Sequence, residues 1–146
     1  NRAIEIDPQL AVAWYNKGNS LNGEGKYDEA IQLYNQAIEI NPQYAAAWSN
    51  KGIALGQQGK YDEALQTLDQ AIEIDPKLAD AWVNKGVALG LQGNHDGALQ
   101  AFNNAIELNP QHANAWFGKA FTLQSLGRTT EADAAFARAE ELGFTG

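Results

Sequence analysis

Apolar residues along this chain follow helical spacing in short blocks. Trp14, Gly18 and Leu21 stand at i, i+4 and i+7, one stripe of a helix predicted from Ala11 to about Glu24. Gly25 follows, the residue type that closes a helix in the left-handed conformation without a Cβ clash. Ala30, Ile31, Leu33, Tyr34, Ala37, Ile38 and Ile40 mark a second helix from about Tyr27 to Ile40. Asp28 and Glu29 fall in its first turn, where the helix dipole favours anions. Asn41-Pro42 ends it, because the residue before a proline avoids the α region.

The whole block then recurs. Trp14, Trp48, Trp82 and Trp116 stand 34 residues apart. The same shift carries Gly25 onto Gly59, Gly93 and Gly127, and Ala30 onto Ala64, Ala98 and Ala132. Gly18 maps onto Gly52 and Gly86, and Pro42 onto Pro76 and Pro110. A lone helix pair cannot bury such a stripe, but the next pair stacked on it can. Small Gly18 and Ala30 predict a close crossing of the two helices, with Trp14 filling the space beside them.

These residues resemble the tetratricopeptide repeat (TPR) family, whose pattern runs Trp, Gly, Tyr or Leu, Ala, Phe or Tyr, Ala and Pro. The first unit reads Trp14, Gly18, Leu21, Ala30, Tyr34, Ala37 and Pro42. The third reads Trp82, Gly86, Leu89, Ala98, Phe102, Ala105 and Pro110, while the fourth has Ala120 for glycine and Phe144 for proline. The resemblance implies an all-α fold, a right-handed α-α solenoid of four stacked helix-turn-helix units. The units are 11–44, 45–78, 79–112 and 113–146, with 1–10 the second-helix tail of a preceding one. In the last helix Asp133 and Glu140 replace Ile or Leu on the face that would meet a further unit. Such charging suits a terminal cap, so the stack is expected to stop there.

In such a stack the first helices line a concave groove. The side of each first helix opposite Trp, Gly and Leu carries Val12, Tyr15, Asn16, Asn19 and Asn22 in unit one. It carries Ala46, Ser49, Asn50, Ile53 and Gly56 in unit two, and Asp80, Val83, Asn84, Val87 and Gly90 in unit three. Unit four offers Asn114, Phe117, Gly118, Phe121 and Gln124. Asn16, Asn50 and Asn84 form a ladder that Gly118 breaks. Amides both donate and accept, so the ladder can pair with a peptide backbone, as asparagine ladders in the resembled family do; the alternative is plain family background, a solvated polar position that can also bridge neighbouring helices. Tyr15, Ile53, Val83, Val87, Phe117 and Phe121 make an apolar patch of the kind that marks interaction sites; packing between first helices competes for Val83 and Phe117. Some members of the family grip a carboxylate with groove Lys and Arg. The corresponding positions here hold Tyr15, Asn19, Asn50, Asp80 and Asn84, and none is a cation. Lys17, Lys51, Lys85 and Lys119 also repeat, but beside Trp, which predicts stems packed on the ring and ammonium groups in water. The Glu5, Glu39, Glu73 and Glu107 series could pair with them.

Composition narrows the chemistry. The 146 residues include 45% hydrophobic and 19% charged, a globular balance. Eighteen acids against ten bases give a net charge of −8, which argues against a sequence-independent hold on nucleic acid. Without cysteine there is no disulfide, thiolate nucleophile or Cys-based zinc site. His95 and His112 occupy structural slots ~25 Å of helix apart, so they cannot share a metal. No apolar run is long enough to cross a membrane, and no signal-peptide pattern is present. No Met and a start at Asn1 in mid-helix suggest a fragment of a longer chain, with a cytoplasmic location as the weak expectation. The function expected is protein–protein interaction, a partner peptide lying in the groove without cofactor, metal, catalysis, nucleic acid or membrane. The alternative is a self-assembling scaffold, joined through the N-terminal repeat end or the groove.

Overall fold

A computed structural model describes residues 7–145. Among them are eight helices: α1 (Pro8–Gly23), α2 (Tyr27–Ile40), α3 (Ala45–Gln57), α4 (Tyr61–Ile74), α5 (Ala79–Leu91), α6 (His95–Leu108), α7 (Ala113–Ser125) and α8 (Thr129–Glu141). They form four hairpins, α1–α2 through α7–α8, stacked into an all-α solenoid. Each second helix packs on the first helix of the next hairpin. First helices also touch one another, α1 to α3, α3 to α5 and α5 to α7, whereas among the described residues second helices do not. That inequality bends the stack, and the odd-numbered helices line its inner face.

Local rules set the helix ends. Each first helix closes on glycine: Gly25 has φ 77°, its N–H donates to the Asn22 carbonyl, and Lys26 N–H reaches back to the Leu21 carbonyl. This is a Schellman cap, and it recurs at Gly59, Gly93 and Gly127. Second helices α2, α4 and α6 instead end on Asn41, Asp75 and Asn109, whose side chains accept from N–H groups two residues on. The helix α8 departs from this pattern. It ends on Gly143 with φ 93°, and Phe144 N–H bonds the Ala139 carbonyl, a first-helix ending in a second-helix place.

The start of α1 also differs from the expected tail 1–10. Pro8, Gln9 and Leu10 form its first turn, with the Asp7 side chain capping Gln9 N–H at 2.9 Å. Residues 1–6 of that tail lie outside the described residues, and Glu5 with them.

The crossing of each hairpin is filled differently from the sequence expectation. The bulk over Gly18 is Tyr34: a Cβ on Gly18 would lie 2.8 Å from its Cε1. Gly52 faces Leu68, and Gly86 faces Phe102, as closely. The glycines thus make room for a large side chain of the second helix, while the tryptophans are only half-buried. Trp48, Trp82 and Trp116 staple the preceding turn, each indole N–H donating to a proline carbonyl six residues earlier, Pro42, Pro76 and Pro110, at 2.9, 3.3 and 2.8 Å. Lysine ammonium groups lie over the same rings: Lys51, Lys85 and Lys119 at 5.5, 5.5 and 5.2 Å from Trp48, Trp82 and Trp116. Lys85 pairs with Asp69 at 2.7 Å rather than with Glu73. Because Asp69 is exposed, Asp69→Asn should change stability by less than about 1 kcal/mol in urea denaturation. Asp133 and Glu140 on α8 are exposed.

Candidate functional site

The inner face divides into two halves of opposite character. The first, across α1 and α3, is a polar knot. Asn50 donates to Tyr15 Oη at 3.1 Å and to Asn19 Oδ1 at 2.7 Å, and buried Tyr34 donates its hydroxyl to the same Asn19 oxygen at 2.7 Å. Tyr15 also lies against Tyr34 and Tyr44, ring centroids 6.1 and 5.0 Å apart. Burial, then the neighbouring Tyr15, pushes the Tyr34 hydroxyl up to about 12, against the opposing Asn50 amide. Asn84 makes the next rung, donating to Ser49 Oγ at 2.9 Å.

These bonds bridge neighbouring first helices, so the Nδ2 donors of Asn50 and Asn84 are committed inside the protein. What each offers a guest is its carbonyl oxygen. The residue that receives each amide stands 35 positions earlier: Tyr15 for Asn50, Ser49 for Asn84. At the fourth rung the corresponding residue is Val83, which has no acceptor on its side chain. An asparagine at 118 would have no such partner, and Gly118 stands there instead.

The second half, across α5 and α7, is apolar. Phe102 rises from α6 between the two helices; a Cβ on Gly86 would meet its ring at 2.8 Å, and one on Gly118 would fall within 2.5 Å of its Cζ. Beside it opens a cavity of about 470 Å³, lined chiefly by Ile53, Val87, Leu91, Phe117, Gly118 and Phe121. The returning Phe144 closes one side, stacked on Phe117 at 4.0 Å, and Phe117 meets Phe136 edge-on at 5.7 Å. His95 and Val83 also reach this cavity.

The predicted groove residues therefore fall into distinct places. Val12, Asn16 and Phe121 are exposed, and Tyr15, Asn19, Asn50, Ile53, Asn84, Val87 and Phe117 are half-buried. Val83 is not the open patch residue it was expected to be: at 7% exposure it packs with Phe102 and Leu89 in the core. Ser49 and Gly56 are buried too. Phe102 of α6 packs on Val83, while α5 covers the other two, Asn84 bonding Ser49 and Ala88 lying 3.8 Å from a Cβ on Gly56. His112 sits away from the cavity, bonded to Asp80 at 2.6 Å and accepting from Ala115 N–H. Among the described residues, no three His, Asp or Glu side chains gather as metal ligands would.

The tetratricopeptide-repeat family pattern matches residues 21–85, 79–112, and 1–32 with 101–134. This chain belongs to the tetratricopeptide-repeat family. No curated protein matches it. Solved structures of similar fold include MamA from Desulfovibrio magneticus RS-1, 22% identical with TM-score 0.74, covering 94% of this chain and 76% of that one. The first TPR of Spaghetti (RPAP3), solved bound to the HSP90 peptide SRMEEVD, is 25% identical with TM-score 0.74, covering 86% and 99%. The Arabidopsis OM64 TPR domain is 23% identical with TM-score 0.73, covering 81% and 98%. The signal for these bridges in this TPR chain is a hydroxyl 35 residues before each paired asparagine, Tyr15 and Ser49, absent before Gly118.

Among the described residues of this TPR chain, no helix is long and apolar enough to cross a membrane.

Proposed function

We propose that this chain is a protein-interaction module that holds a segment of a partner protein in its concave groove. The carrying observation is the apolar cavity on the inner face, whose rim leaves Leu91 at 47% and Phe121 at 58% exposure. Exposed apolar surface gathered at one concave place is the signature of a binding site. The RPAP3 domain, solved with a peptide, supports the same use of the fold. Its peptide is acidic, with Glu and Asp near the end. The cavity here has no Lys or Arg in its lining, so the guest segment is expected to be apolar there. Asn50 and Asn84 would accept hydrogen bonds from its backbone N–H groups through Oδ1.

Panning a random peptide library against the chain tests this. Selected peptides should bind Asn16→Ala and Phe121→Ala variants more weakly at an unchanged thermal midpoint, because both residues are exposed. Retained affinity in both would place binding elsewhere. Asn50→Ala and Asn84→Ala differ from the simple ladder expectation. Each removes an inter-helix bond and should cost about 1 kcal/mol of stability as well as affinity.

A second reading, self-association through the α1 end, draws on Leu10 and Val12, exposed at 48% and 44%. Light scattering across a dilution series separates the two; a strict monomer removes the second.

A further inference from the structure

We propose that the cavity between Gly118 and Phe121 is a socket for one bulky, uncharged side chain, preferably aromatic, of the segment held in the groove; the inference rests on the groove-binding reading above. The register places Gly118 where Asn50 and Asn84 form rungs. With no side chain there, the Phe102 ring lies directly against the α7 backbone and forms a wall of the 470 Å³ cavity. That volume lies in the range of clefts that enclose small ligands, roughly 300–1,000 Å³, and is ample for one large side chain.

The lining decides the chemistry of the anchor. It contains no Lys, Arg, Asp or Glu; its polar members are Gln57, Asn84, His95, Asn114 and Thr122. A charged anchor would lose its hydration without finding a counter-ion, which is strongly unfavourable. Four phenyl rings, Phe102, Phe117, Phe121 and Phe144, surround the space. Aromatic side chains gain from ring–ring contact beyond the area they bury. The polar knot on α1 and α3 offers no such place, because the hydrogen-bonded side chains of Tyr15, Asn19 and Asn50 fill it. The groove thus reads its guest in one direction, polar toward α1 and apolar toward α7.

The probes are N-acetyltryptophanamide and N-acetylphenylalaninamide, with the alanine and aspartate analogues as controls, titrated into the ¹⁵N-labelled full chain. The aromatic amides should give saturable shifts at Val87, Gly118 and Phe121 and none at Asn16. Equal shifts with the alanine or aspartate analogue would overturn the socket. Library-selected peptides should carry an aromatic residue whose replacement by alanine costs about tenfold in affinity, about 1.4 kcal/mol. Gly118→Asn should weaken binding by a similar factor. If its fold is disturbed, Phe121→Ala supplies the same test from an exposed position. Peptides that need Asn16 but tolerate Gly118→Asn and Phe121→Ala would sink the socket and leave the groove reading standing. Failure to select any peptide would sink both.

Discussion

Phe102→Ala is expected to destabilise the chain by about 3–5 kcal/mol, as loss of a buried phenyl ring does when its surroundings cannot collapse. Phe102 is 3% exposed and wedged between Gly86 on α5 and Gly118 on α7. Alanine would leave a void beside the existing cavity. Because the ring lies at the junction of the third and fourth hairpins, the damage should be local in a stack whose units are held by nearest neighbours. Urea unfolding should lose its single transition, and hydrogen exchange should quicken in α7 and α8 before α1 and α2. A uniform loss of less than 1 kcal/mol would mean that the ring is not the wedge described here.

A cycle of substitutions tests the steric half of the same claim. In the preceding unit the smaller Leu68 accompanies Asn84; in this one Phe102 accompanies Gly118. Gly118→Asn alone should overpack the site, at a cost of about 1–3 kcal/mol. Joined to Phe102→Leu it should cost less than the sum of the two single changes. Contacting pairs of this kind couple by about 0.5–3 kcal/mol. Strict additivity would show that the two residues do not share space.

Much of this was written in the residues. The 34-residue period placed α2 between Tyr27 and Ile40 without error, because Asn41-Pro42 and the Gly25 cap leave the helix no freedom at either end. The hairpin crossings were legible as small residues, but which side chain filled them was not. Spacing says that Gly18 allows a close approach; only the geometry shows Tyr34 above it. A helical wheel knows one helix and not the side chains that its neighbours bring over it. For that reason Val83, Ser49 and Gly56 looked open and are covered. The asparagine ladder is legible in the sequence, but spacing leaves it as a peptide ladder or a solvated family position; the bonds to the hydroxyls of Tyr15 and Ser49 make it an inter-helix bridge. Phe144 was legible only as a missing proline. Its place in the groove wall follows from a glycine cap at Gly143 that turns the chain back over Phe117.

Alkali is expected to unfold the protein through Tyr34. Its side chain is fully buried, its hydroxyl donates to Asn19, and its pKa stands at about 12 against an ordinary 10.0. A raised folded-state pKa means that the fold binds this proton more tightly than the unfolded chain does. The stabilisation is therefore whole below about pH 10 and is lost as pH rises through about 12, about 2–3 kcal/mol in all. Tyr44, raised by burial and by Tyr15, adds a loss of the same sign. Lys51 works the other way: burial lowers its pKa, so charging it within the fold is unfavourable at neutral pH, and that penalty fades as pH approaches the ordinary lysine value. Stability should hold or rise slightly toward pH 10 and then drop steeply. Urea midpoints measured across this window check the shape. Tyr34→Phe should lower the neutral plateau by about 1 kcal/mol through the lost hydrogen bond, and it should remove most of the alkaline drop. A wild-type curve that stays level to pH 12 would mean that the Tyr34 phenolate is accommodated within the fold, and burial beneath the knot at α1 and α3 would then not be what holds its proton.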